Sequence, residues 1–364
     1  MKICYLSRAD NYHTYKWCSQ MSKRGHEVHV ISFIKGDIDC ATVHYVDCGI
    51  ASGREAERKK LKYLTRGKAI RRIIDTIRPD IVHAHYISSY GLAAVLAGIP
   101  NCVISVWGSD IYEFPQKSTV HKALIQFVLR RAGQIWSTSH AMAEETHKYT
   151  KRDIEITPFG VDMRMFCPER RTRKPNDGKF VIGTVKALKP KYGIAAILQA
   201  GHILKEKHPD IPLSIRIAGK GEQEEELRKL AHSLGMDAYV DWLGFISQEE
   251  AAAEWANMDC ALILSESESF GVSAVEAQAC AVPVIITDIP GLKEATLPGK
   301  SSMVVARKSP EIVAEKVVQL YDHPELREKM GQQGYAFVRK EYDIEHCFDK
   351  IDCLYKKIVL EKVK

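Results

Sequence analysis

The sequence predicts an α/β protein with two doubly wound domains, each a parallel sheet covered by helices on both faces. Three observations lead to this prediction. The chain has 364 residues, which is more than one average domain core holds. Short runs rich in Val and Ile alternate with helical segments along both halves of the chain. These runs are apolar almost throughout, as is typical of parallel strands that are buried on both faces.

In the first half, five short runs are predicted to be strands. They are MKICYLS, EVHVISF, DIVHAHY, CVISVWG and QIWSTS. Helices are predicted between them at HTYKWCSQMSKRG, at the basic segment that ends in AIRRIIDTI, and at HKALIQFVLRRA. The apolar stretch from Tyr90 to Gly108 is interrupted by Pro100 and Asn101. It is therefore predicted to be a helix followed by a strand, because a membrane span needs an uninterrupted apolar run.

The second half repeats this plan. Its predicted strands are KFVIGTVK, LSIRIAG, YVDWLGF, CALILS and VPVIIT, and its helices are expected to end near Gly235, Met258 and Cys280. The segment from Cys167 to Lys179 is rich in proline and basic residues, which predicts a linker. The predicted domains are residues 1–165 and 166–345, with a C-terminal helix at 346–364 that returns to the first domain.

The composition is that of a soluble globular protein, with 45% hydrophobic and 27% charged residues. The first residues, MKICYLS, enter a strand without the layout of a signal peptide. The ten cysteines include no C-x-x-C pair and no cluster with histidine. Reduced thiols in the cytoplasm are therefore expected, with no structural metal.

Basic residues are concentrated in the first half. Residues 1–165 hold 24 Lys and Arg against 16 Asp and Glu, and the segment from Arg54 to Arg72 alone holds nine basic and two acidic residues. Such a segment suits an anionic membrane surface or a phosphorylated partner, so a peripheral membrane location is expected. A solvated helix face is the simpler alternative. Nucleic acid is disfavoured as a partner, because the segment has one aromatic residue and no nucleic-acid motif.

The stretch SESESFGVSAVEAQACAVPVI contains a strand-to-helix turn with glutamates on both sides of it. A strand is predicted to end near Ser265 and a helix to begin around Gly271. The amides of Phe270, Gly271 and Val272 would then point at an anion, helped by the helix dipole. Gly271 permits close approach of the backbone.

Glu276 lies one turn into the same predicted helix. A carboxylate there can accept hydrogen bonds from two adjacent hydroxyls, as a ribose presents them. Anion donors beside such an acceptor suit a nucleoside diphosphate. The alternative is that Glu266, Glu268 and Glu276 only cap and solubilise a surface helix. It is disfavoured because the helix face around Glu276 is apolar, and a charge there needs a partner.

The segment ESFGVSAVEAQACAVPVIITDIPGLKEA resembles the nucleotide-sugar site of the family 4 (group 1) glycosyltransferases. These are retaining enzymes of GT-B architecture, in which two Rossmann-like domains face each other across a cleft. Five further segments are similar to segments of that family, namely ITPFGVDMRMFCP, IGTVKALKPKYGI, IRIAGKGEQEEELRKLA, DIVHAHY and IWSTSHAMAEET. The resemblance covers most of the chain. It implies a nucleotide-sugar donor, with a UDP-sugar favoured and a GDP-sugar as the alternative, and no metal.

The resemblance also implies roles for individual residues. Glu268 would contact hydroxyls of the transferred sugar and Glu276 those of the ribose. Lys186 and Lys191 match the family's basic pair on the diphosphate, where they would neutralise charge on the leaving group. Lys186 stands where the family usually has arginine, so Lys189 is an alternative contact. Phe245, in WLGF, matches the place where the family's backbone meets the base.

The first domain departs further from the family. SVWGSD resembles its His-Gly-x-Asp strand end, but Trp107 stands at the histidine position. The residues that would bind the acceptor or stabilise charge lie in predicted strand-end loops. They are Asp110, assigned to catalysis, and His13, His85, His140 and Trp107, assigned to the acceptor side. His83 and His85 share one face of a strand, but a metal site needs a third ligand and none is evident.

The function that the resemblance implies is transfer of a sugar, with retention, to an acceptor hydroxyl. The acceptor is expected to be a lipid-linked saccharide of surface polysaccharide biosynthesis, with a soluble acceptor as the alternative. Two other classes stay open: a non-catalytic GT-B-like subunit that binds a sugar or a partner, and a sugar-nucleotide epimerase. A nicotinamide oxidoreductase is disfavoured, because no Gly-x-Gly-x-x-Gly turn follows the first strand.

Overall fold

The computed structural model describes residues 1–49, 65–174 and 178–363. The chain divides into two compact units. The first consists of Met1–Phe159 together with Glu345–Lys364, and the second of Gly160–Ile344. The second unit thus begins at Gly160, whereas the sequence predicted residue 166.

The first unit is built on a parallel sheet. Its described strands are β1 (Lys2–Leu6), β2 (Glu27–Ser32), β3 (Thr42–Tyr45), β4 (Ile81–His85), β5 (Val103–Val106), β6 (Gln134–Ser137) and β7 (Ile154–Ile156). They pair in the order β3-β2-β1-β4-β5-β6-β7. The helices are α1 (Tyr12–Lys23), α2 (Gly67–Ile77), α3 (Leu92–Leu96), α4 (Ser109–Tyr112), α5 (Thr119–Arg131) and α6 (His140–His147). Most of the basic segment from Arg54 to Arg72 lies outside the described residues, and α2 begins only at Gly67.

The second unit has the same plan. Its described strands are β8 (Phe180–Val185), β9 (Leu213–Ala218), β10 (Val240–Gly244), β11 (Cys260–Ile263), β12 (Val284–Thr287) and β13 (Ser302–Val305). They are parallel and pair in the order β10-β9-β8-β11-β12-β13. The helices are α7 (Ile194–Lys207), α8 (Glu224–Ser233), α9 (Gln248–Ala256), α10 (Val272–Ala279), α11 (Pro290–Glu294), α12 (Pro310–Asp322) and α13 (Pro324–Glu341). Apolar clusters cover both faces of this sheet.

These two parallel sheets confirm the predicted fold class. In each unit the strand order reverses at one place, between β1 and β4 in the first and between β8 and β11 in the second. In doubly wound sheets, ligands bind at the carboxyl ends of the strands beside such a reversal. The fold therefore marks one place on each unit where a site is expected.

The sequence missed the strands β3, β7 and β13. Each lies at the edge of its sheet and has only three or four residues. Side chains of β3 and β7 are partly or fully exposed, so neither strand carries the apolar run by which the central strands were recognised. β13 is short and begins with a serine.

The predicted linker is in part bound to the second unit. The guanidinium groups of Arg171 and Arg173 pair with the carboxylate of Asp259 at 3.1 and 2.9 Å. The amide of Val181, in β8, donates to the same carboxylate at 2.9 Å. The described residues of this segment therefore belong to the second unit and are not a free spacer.

The predicted C-terminal helical tail consists of two helices, α13 and α14 (Ile344–Val363). From Glu345 onward, α14 belongs to the first unit. Arg24 pairs with Asp349 at 2.7 Å, and His26 contacts Asp352 at the same distance. Within residues 1–49, 65–174 and 178–363, none of the helices combines the length and hydropathy that a membrane span requires.

Candidate functional site

In the second unit, two loops meet at the reversal of strand order. The first, residues 186–193, connects β8 to α7, and the second, residues 264–271, connects β11 to α10. The amide of Glu266 donates to the carbonyl oxygen of Lys191 at 2.8 Å. A Cβ on Gly193 would lie only 2.1 Å from the carbonyl oxygen of Leu264. The two loops therefore contact each other directly, and only glycine fits at position 193.

A third segment supports the first loop. Gly219 and Gly221 follow β9. A Cβ on Gly219 would lie 1.9 Å from the carbonyl oxygen of Lys186, and a Cβ on Gly221 would lie 2.0 Å from that of Leu188. The amide of Lys186 donates to the oxygen of Ala218 at 2.8 Å. The Gly-x-Gly turn is thus explained by close backbone packing beneath Lys186.

Lys186 and Glu268 form an ion pair. Their Nζ and Oε2 atoms are 2.7 Å apart, and the two side chains are 12% and 13% exposed. The hydroxyl of Ser265 donates to the same oxygen at 3.3 Å. Burial is the largest single effect on the pKa of Lys186 and lowers it, but Glu268, Tyr192 and Glu276 together outweigh burial and the pKa is raised. The lysine is therefore charged at neutral pH, close to a carboxylate and partly shielded from water.

Tyr192 lies between the two lysines that the sequence assigned to a diphosphate. Its ring centroid is 4.6 Å from the Nζ of Lys186 and 5.4 Å from that of Lys191. Both ammonium groups thus converge on one aromatic ring. Lys189, the alternative contact, is exposed. The sequence analysis missed Tyr192, although the residue is adjacent to Lys191.

The helix α10 begins as the sequence predicts. Gly271 precedes its first residue and has a φ of +95°, in the left-handed region. A Cβ on Gly271 would be 2.6 Å from a methyl group of Leu292. Phe270 is only 2% exposed and packs in the core, so its backbone, and not its ring, is placed to meet a ligand. The first amides, including that of Val272, have no acceptor within the helix.

Glu276 lies one turn into α10. The indole N–H of Trp255 donates to its Oε2 atom at 3.3 Å. The charge of Glu276 also contributes to the raised pKa of Lys186, so the carboxylate belongs to the same electrostatic environment as the ion pair. The sequence analysis missed Trp255, because nothing in the local sequence connects it with a glutamate 21 residues away.

Phe245 follows β10 and is 78% exposed. Gly244 before it has a φ of +68°, which only glycine adopts without strain. The chain thus presents an aromatic ring to solvent after the carboxyl end of a strand. The contact of this segment with a base stays a prediction.

In the first unit, three of the assigned side chains form one aromatic cluster. The ring of His13 stacks on Phe159 at 4.3 Å, and that of His85 lies 4.5 Å from Trp107. His13 and Trp107 are 6.0 Å apart. His140 is the first residue of α6 and is exposed. The cluster lies at the carboxyl ends of β1, β4 and β5, where the fold favours a ligand.

The imidazoles of this cluster are neutral at pH 7. Burial lowers the pKa of His13 to about 3, and Lys16 adds to the effect. Burial lowers the pKa of His85 well below its usual value. Among the described residues, neither Nδ1 of His13 nor Nε2 of His85 has a hydrogen-bond partner. Both atoms are therefore suited to contact a hydroxyl of a ligand.

Asp110 is fully buried and accepts backbone hydrogen bonds. Its carboxylate receives the amides of Gly108 at 2.7 Å, Ile87 at 3.0 Å and Trp107 at 3.2 Å. Burial raises its pKa to about 6, against the opposing effect of these bonds. These contacts make Asp110 a residue that positions two loops, and the catalytic role assigned to it from the sequence stays a prediction.

His83 has both ring nitrogens engaged. Nδ1 lies 2.6 Å from the hydroxyl of Tyr355, and Nε2 lies 2.7 Å from that of Ser105. Nowhere in the described part of the chain do three or more His, Cys, Asp or Glu side chains gather as metal ligands would. His83 thus connects α14 to the sheet.

Two family models match the chain. One describes a glycosyl transferase 4-like domain and covers residues 2–139. The other describes glycosyl transferases group 1 and covers residues 168–337. The two matches fall in the first and second halves of the chain, respectively, and the second includes Lys186, Glu268 and Glu276.

Curated relatives are named glycosyltransferases. A D-inositol 3-phosphate glycosyltransferase of Corynebacterium urealyticum is 30% identical over 305 residues, which cover 77% of this chain and 72% of that protein. One of Pseudarthrobacter chlorophenolicus is 31% identical, covering 70% of this chain but only 65% of the relative. An N-acetyl-alpha-D-glucosaminyl L-malate synthase of Bacillus anthracis is 24% identical, with 77% and 75% covered.

Solved structures share the fold at low identity. A sucrose-phosphate synthase from Thermosynechococcus elongatus has a TM-score of 0.87 at 16% identity and covers 99% of this chain and 100% of its own. Anabaena HepE, in complex with UDP-glucose, has a TM-score of 0.73 at 17% identity, with 98% and 100% covered. At these identities the likeness establishes the fold alone.

Proposed function

The chain belongs to the group 1 glycosyltransferases, and from this premise we propose that it transfers a sugar, with retention, from a nucleoside diphosphate sugar to an acceptor hydroxyl. One observation carries the proposal. Lys186, Glu268 and Glu276 converge where the strand order of the second sheet reverses, next to the first turn of α10. A cation, helix amides and two carboxylates together match a diphosphate flanked by hydroxyl-bearing rings.

In the proposed site, the diphosphate lies between the lysines and the start of α10. Lys186 and Lys191 neutralise the negative charge that grows on the leaving group, and the amides of Gly271 and Val272 bind phosphate oxygens. Glu276 accepts hydrogen bonds from the ribose hydroxyls, and Phe245 lies beside the base. UDP is the favoured nucleotide, since Anabaena HepE is named as a complex with UDP-glucose.

Donor binding must change the partner of Lys186. Without donor, its ammonium group pairs with Glu268 at 2.7 Å. A diphosphate carries more negative charge than one carboxylate and competes for the same ammonium group. Glu268 then becomes free to accept hydrogen bonds from the transferred sugar. The ion pair thus holds both side chains in place until the donor arrives.

The proposed reaction proceeds on one face of the sugar. The bond between the anomeric carbon and the phosphate oxygen breaks, and the acceptor oxygen bonds to that carbon on the same side. The acceptor proton passes to an oxygen of the departing diphosphate. Lys186 and Lys191 replace the charge neutralisation that a metal would supply, so turnover should be unchanged by EDTA.

A thermal-shift panel of UDP-, GDP-, ADP- and dTDP-sugars tests the donor site. We expect one nucleotide class to stabilise the protein, by about 2.7 kcal/mol at a hundredfold excess over Kd. Glu276→Ala should lose this shift. Glu225→Ala is the matched control, because Glu225 is 83% exposed and pairs only with Lys229 among the contacts known for it. If none of the donors stabilises the protein, the proposed donor site is refuted.

Transfer itself is tested with the donor that the panel identifies. Lys191→Ala and Glu276→Ala should abolish transfer and leave the fold intact by circular dichroism. Lys229→Ala, at a lysine that is 75% exposed, should retain full activity. Proton NMR of the product then reads the anomeric configuration, and inversion would contradict the proposed stereochemistry.

Two acceptor classes are proposed. The first is a lipid-linked saccharide in surface polysaccharide biosynthesis, supported by the excess of basic residues in the first half of the chain. Flotation with anionic vesicles at low and high salt tests it, and absence of binding at low salt would count against it.

The second class is a small soluble acceptor with an anionic group. It is supported by relatives named for inositol phosphate and malate. The measurement is a mass spectrum of products formed from inositol 3-phosphate or L-malate with the identified donor. A product from either would favour this class over the lipid-linked one.

A further inference from the structure

The environment of Glu276 includes a buried indole that the sequence did not assign. Trp255 lies in the last turn of α9 and is fully buried. Its ring packs in the apolar cluster that includes Ala274 and Val275 of α10. From this fixed position its N–H donates to Oε2 of Glu276 at 3.3 Å. An indole N–H can only donate a hydrogen bond. Because packing fixes the ring, the N–H bond points in one direction.

A carboxylate that recognises a diol benefits from such a fixed donor. The terminal torsion of a glutamate is broad, and rotation about it moves both oxygen atoms. The charge of Glu276 also interacts with that of Lys186, and this attraction acts on the carboxylate. A hydrogen bond from Trp255 holds one oxygen on the side of α9. It thereby opposes rotation of the carboxylate toward the lysine.

The remaining acceptor positions of Glu276 then have a fixed direction. An ionised carboxylate has about four lone-pair sites on its two oxygens. Trp255 donates to one site on Oε2 and thereby fixes the direction of the other sites. Two neighbouring hydroxyls need two acceptor positions whose spacing and direction are constant. Pre-orientation of this kind lowers the entropy cost of binding.

We propose that Trp255 is a positioning residue for nucleoside recognition, whose indole N–H orients the carboxylate of Glu276 toward the two ribose hydroxyls. The inference rests on the proposed function, because it takes Glu276 as the ribose contact. It goes further by assigning the selection for ribose over deoxyribose to a residue that touches no part of the donor.

The test compares nucleotides that differ in one hydroxyl. Isothermal titration gives the Kd of the wild type and of Trp255→Phe for UDP, 2′-deoxy-UDP and 3′-deoxy-UDP. The guanosine series is titrated in the same way. We expect the wild type to prefer the ribonucleotide, and Trp255→Phe to reduce that preference about tenfold. Its affinity for the deoxynucleotides should stay within about twofold of wild type, because they lack a hydroxyl that Glu276 reads.

This pattern separates positioning from a general loss of structure. A loosened site would weaken all three nucleotides alike and leave their ratios unchanged. Normal binding of 2′-deoxy-UDP by Trp255→Phe also shows that the variant is folded. In a Glu276→Ala background, Trp255→Phe should not change the ratio of the Kd values for deoxynucleotide and ribonucleotide any further, because the carboxylate through which Trp255 acts is absent.

Trp136→Phe is the matched control. Trp136 is fully buried and donates its indole N–H to Oε1 of Gln134 at 3.0 Å, but it lies in the first unit. It should retain the wild-type ratios. If Trp255→Phe does not fold, benzothienylalanine at position 255 replaces the N–H by sulfur in a ring of the same shape, and the same loss of preference is expected.

The outcomes distinguish this inference from the proposed function. If the wild type binds nucleotides and the variant keeps the full preference for ribose, the role of Trp255 is refuted and the donor site stands. If the wild type binds none of the nucleotides, the proposed function fails and this inference fails with it. A tenfold loss of preference confined to the ribonucleotides supports both.

Discussion

The ion pair between Lys186 and Glu268 allows the stability of the site to be separated from its function. Lys186→Met removes the charge and keeps most of the side-chain volume. Glu268 is then left 13% exposed, with the Ser265 hydroxyl as the remaining donor among its known contacts. Removing one partner of a fully buried pair costs about 3–5 kcal/mol. Because water reaches both side chains in part, we expect about 2–3 kcal/mol here.

The double variant Lys186→Met with Glu268→Gln should recover most of this loss. A neutral amide needs no counter-charge, so the penalty of an unpaired carboxylate disappears. Differential scanning calorimetry should show the single Lys186→Met variant melting about 5–10 °C below wild type. The double variant should melt within about 3 °C of wild type. The double-mutant cycle then gives the coupling energy of the pair.

Donor affinity, unlike stability, should not recover in the double variant. If Lys186 binds the diphosphate, the stabilised double variant still lacks the cation and should bind the donor at least about thirtyfold more weakly than wild type, a loss of about 2 kcal/mol. Titration calorimetry measures this directly. Near-normal donor affinity in the double variant would show that the pair is structural only and that Lys186 does not bind the diphosphate. A double variant no more stable than Lys186→Met would show that an unpaired Glu268 carboxylate is not the cause of the lost stability.

Three further predictions concern the supports of the two sites. Gly193→Ala should disrupt donor binding, because its Cβ would lie 2.1 Å from the oxygen of Leu264. Gly235→Ala is the control, since Gly235 has nearly the same φ but no neighbour within 4 Å. This control should lower the free energy of unfolding by only about 1–2 kcal/mol, as measured by calorimetry. Burial lowers the pKa of His83 to about 3, so its stabilising contribution is present above pH 6.5 and is lost as the pH falls. The stability gap between wild type and His83→Gln should therefore narrow by about 2 kcal/mol between pH 7.5 and 5 in urea titrations. The pKa of Asp110 is raised to about 6 from 3.8, so its contribution is lost as the pH rises. Relative to Asp110→Asn, the wild type should lose about 2 kcal/mol between pH 4 and 6 in the same titrations, and parallel curves would contradict this.

The central strands of both sheets were predictable because burial on both faces leaves a clear apolar signal. β11, with the sequence CALI, is buried at every position. The edge strand β7, with the sequence IEI, has no buried position, and nothing in its sequence separates it from a loop. Hydrophobic pattern thus records burial, and it fails where a strand is held mainly by backbone hydrogen bonds to one neighbour.

Part of the candidate site could be placed from the sequence because its residues are close in sequence. Glu268, Gly271 and Glu276 lie on or beside one strand-to-helix turn, and together with the apolar helix face around Glu276 they led to the prediction of an anion beside a diol. The ion pair of Glu268 with Lys186 joins residues 82 positions apart, and the indole contact of Trp255 with Glu276 spans two helices. Such contacts depend on how the sheet brings segments together, and local sequence does not encode them.

Asp110 shows a different limit. The sequence correctly marks a carboxylate at the end of a strand, and such positions are common in catalytic sites. Its hydrogen bonds to the amides of Ile87, Trp107 and Gly108 are invisible in the sequence. The sequence could therefore mark this carboxylate, but it could not show the two loops that the carboxylate positions.

A crystal structure of the full chain with a nucleoside diphosphate bound to the second unit would decide whether the ion pair and the start of α10 form the donor site. We expect phosphate oxygens within hydrogen-bond distance of the Nζ of Lys186 and the amide of Val272, with the ribose hydroxyls on Glu276 and the ion pair to Glu268 opened. A nucleotide bound elsewhere, or one bound here with the pair between Lys186 and Glu268 intact, would contradict this expectation.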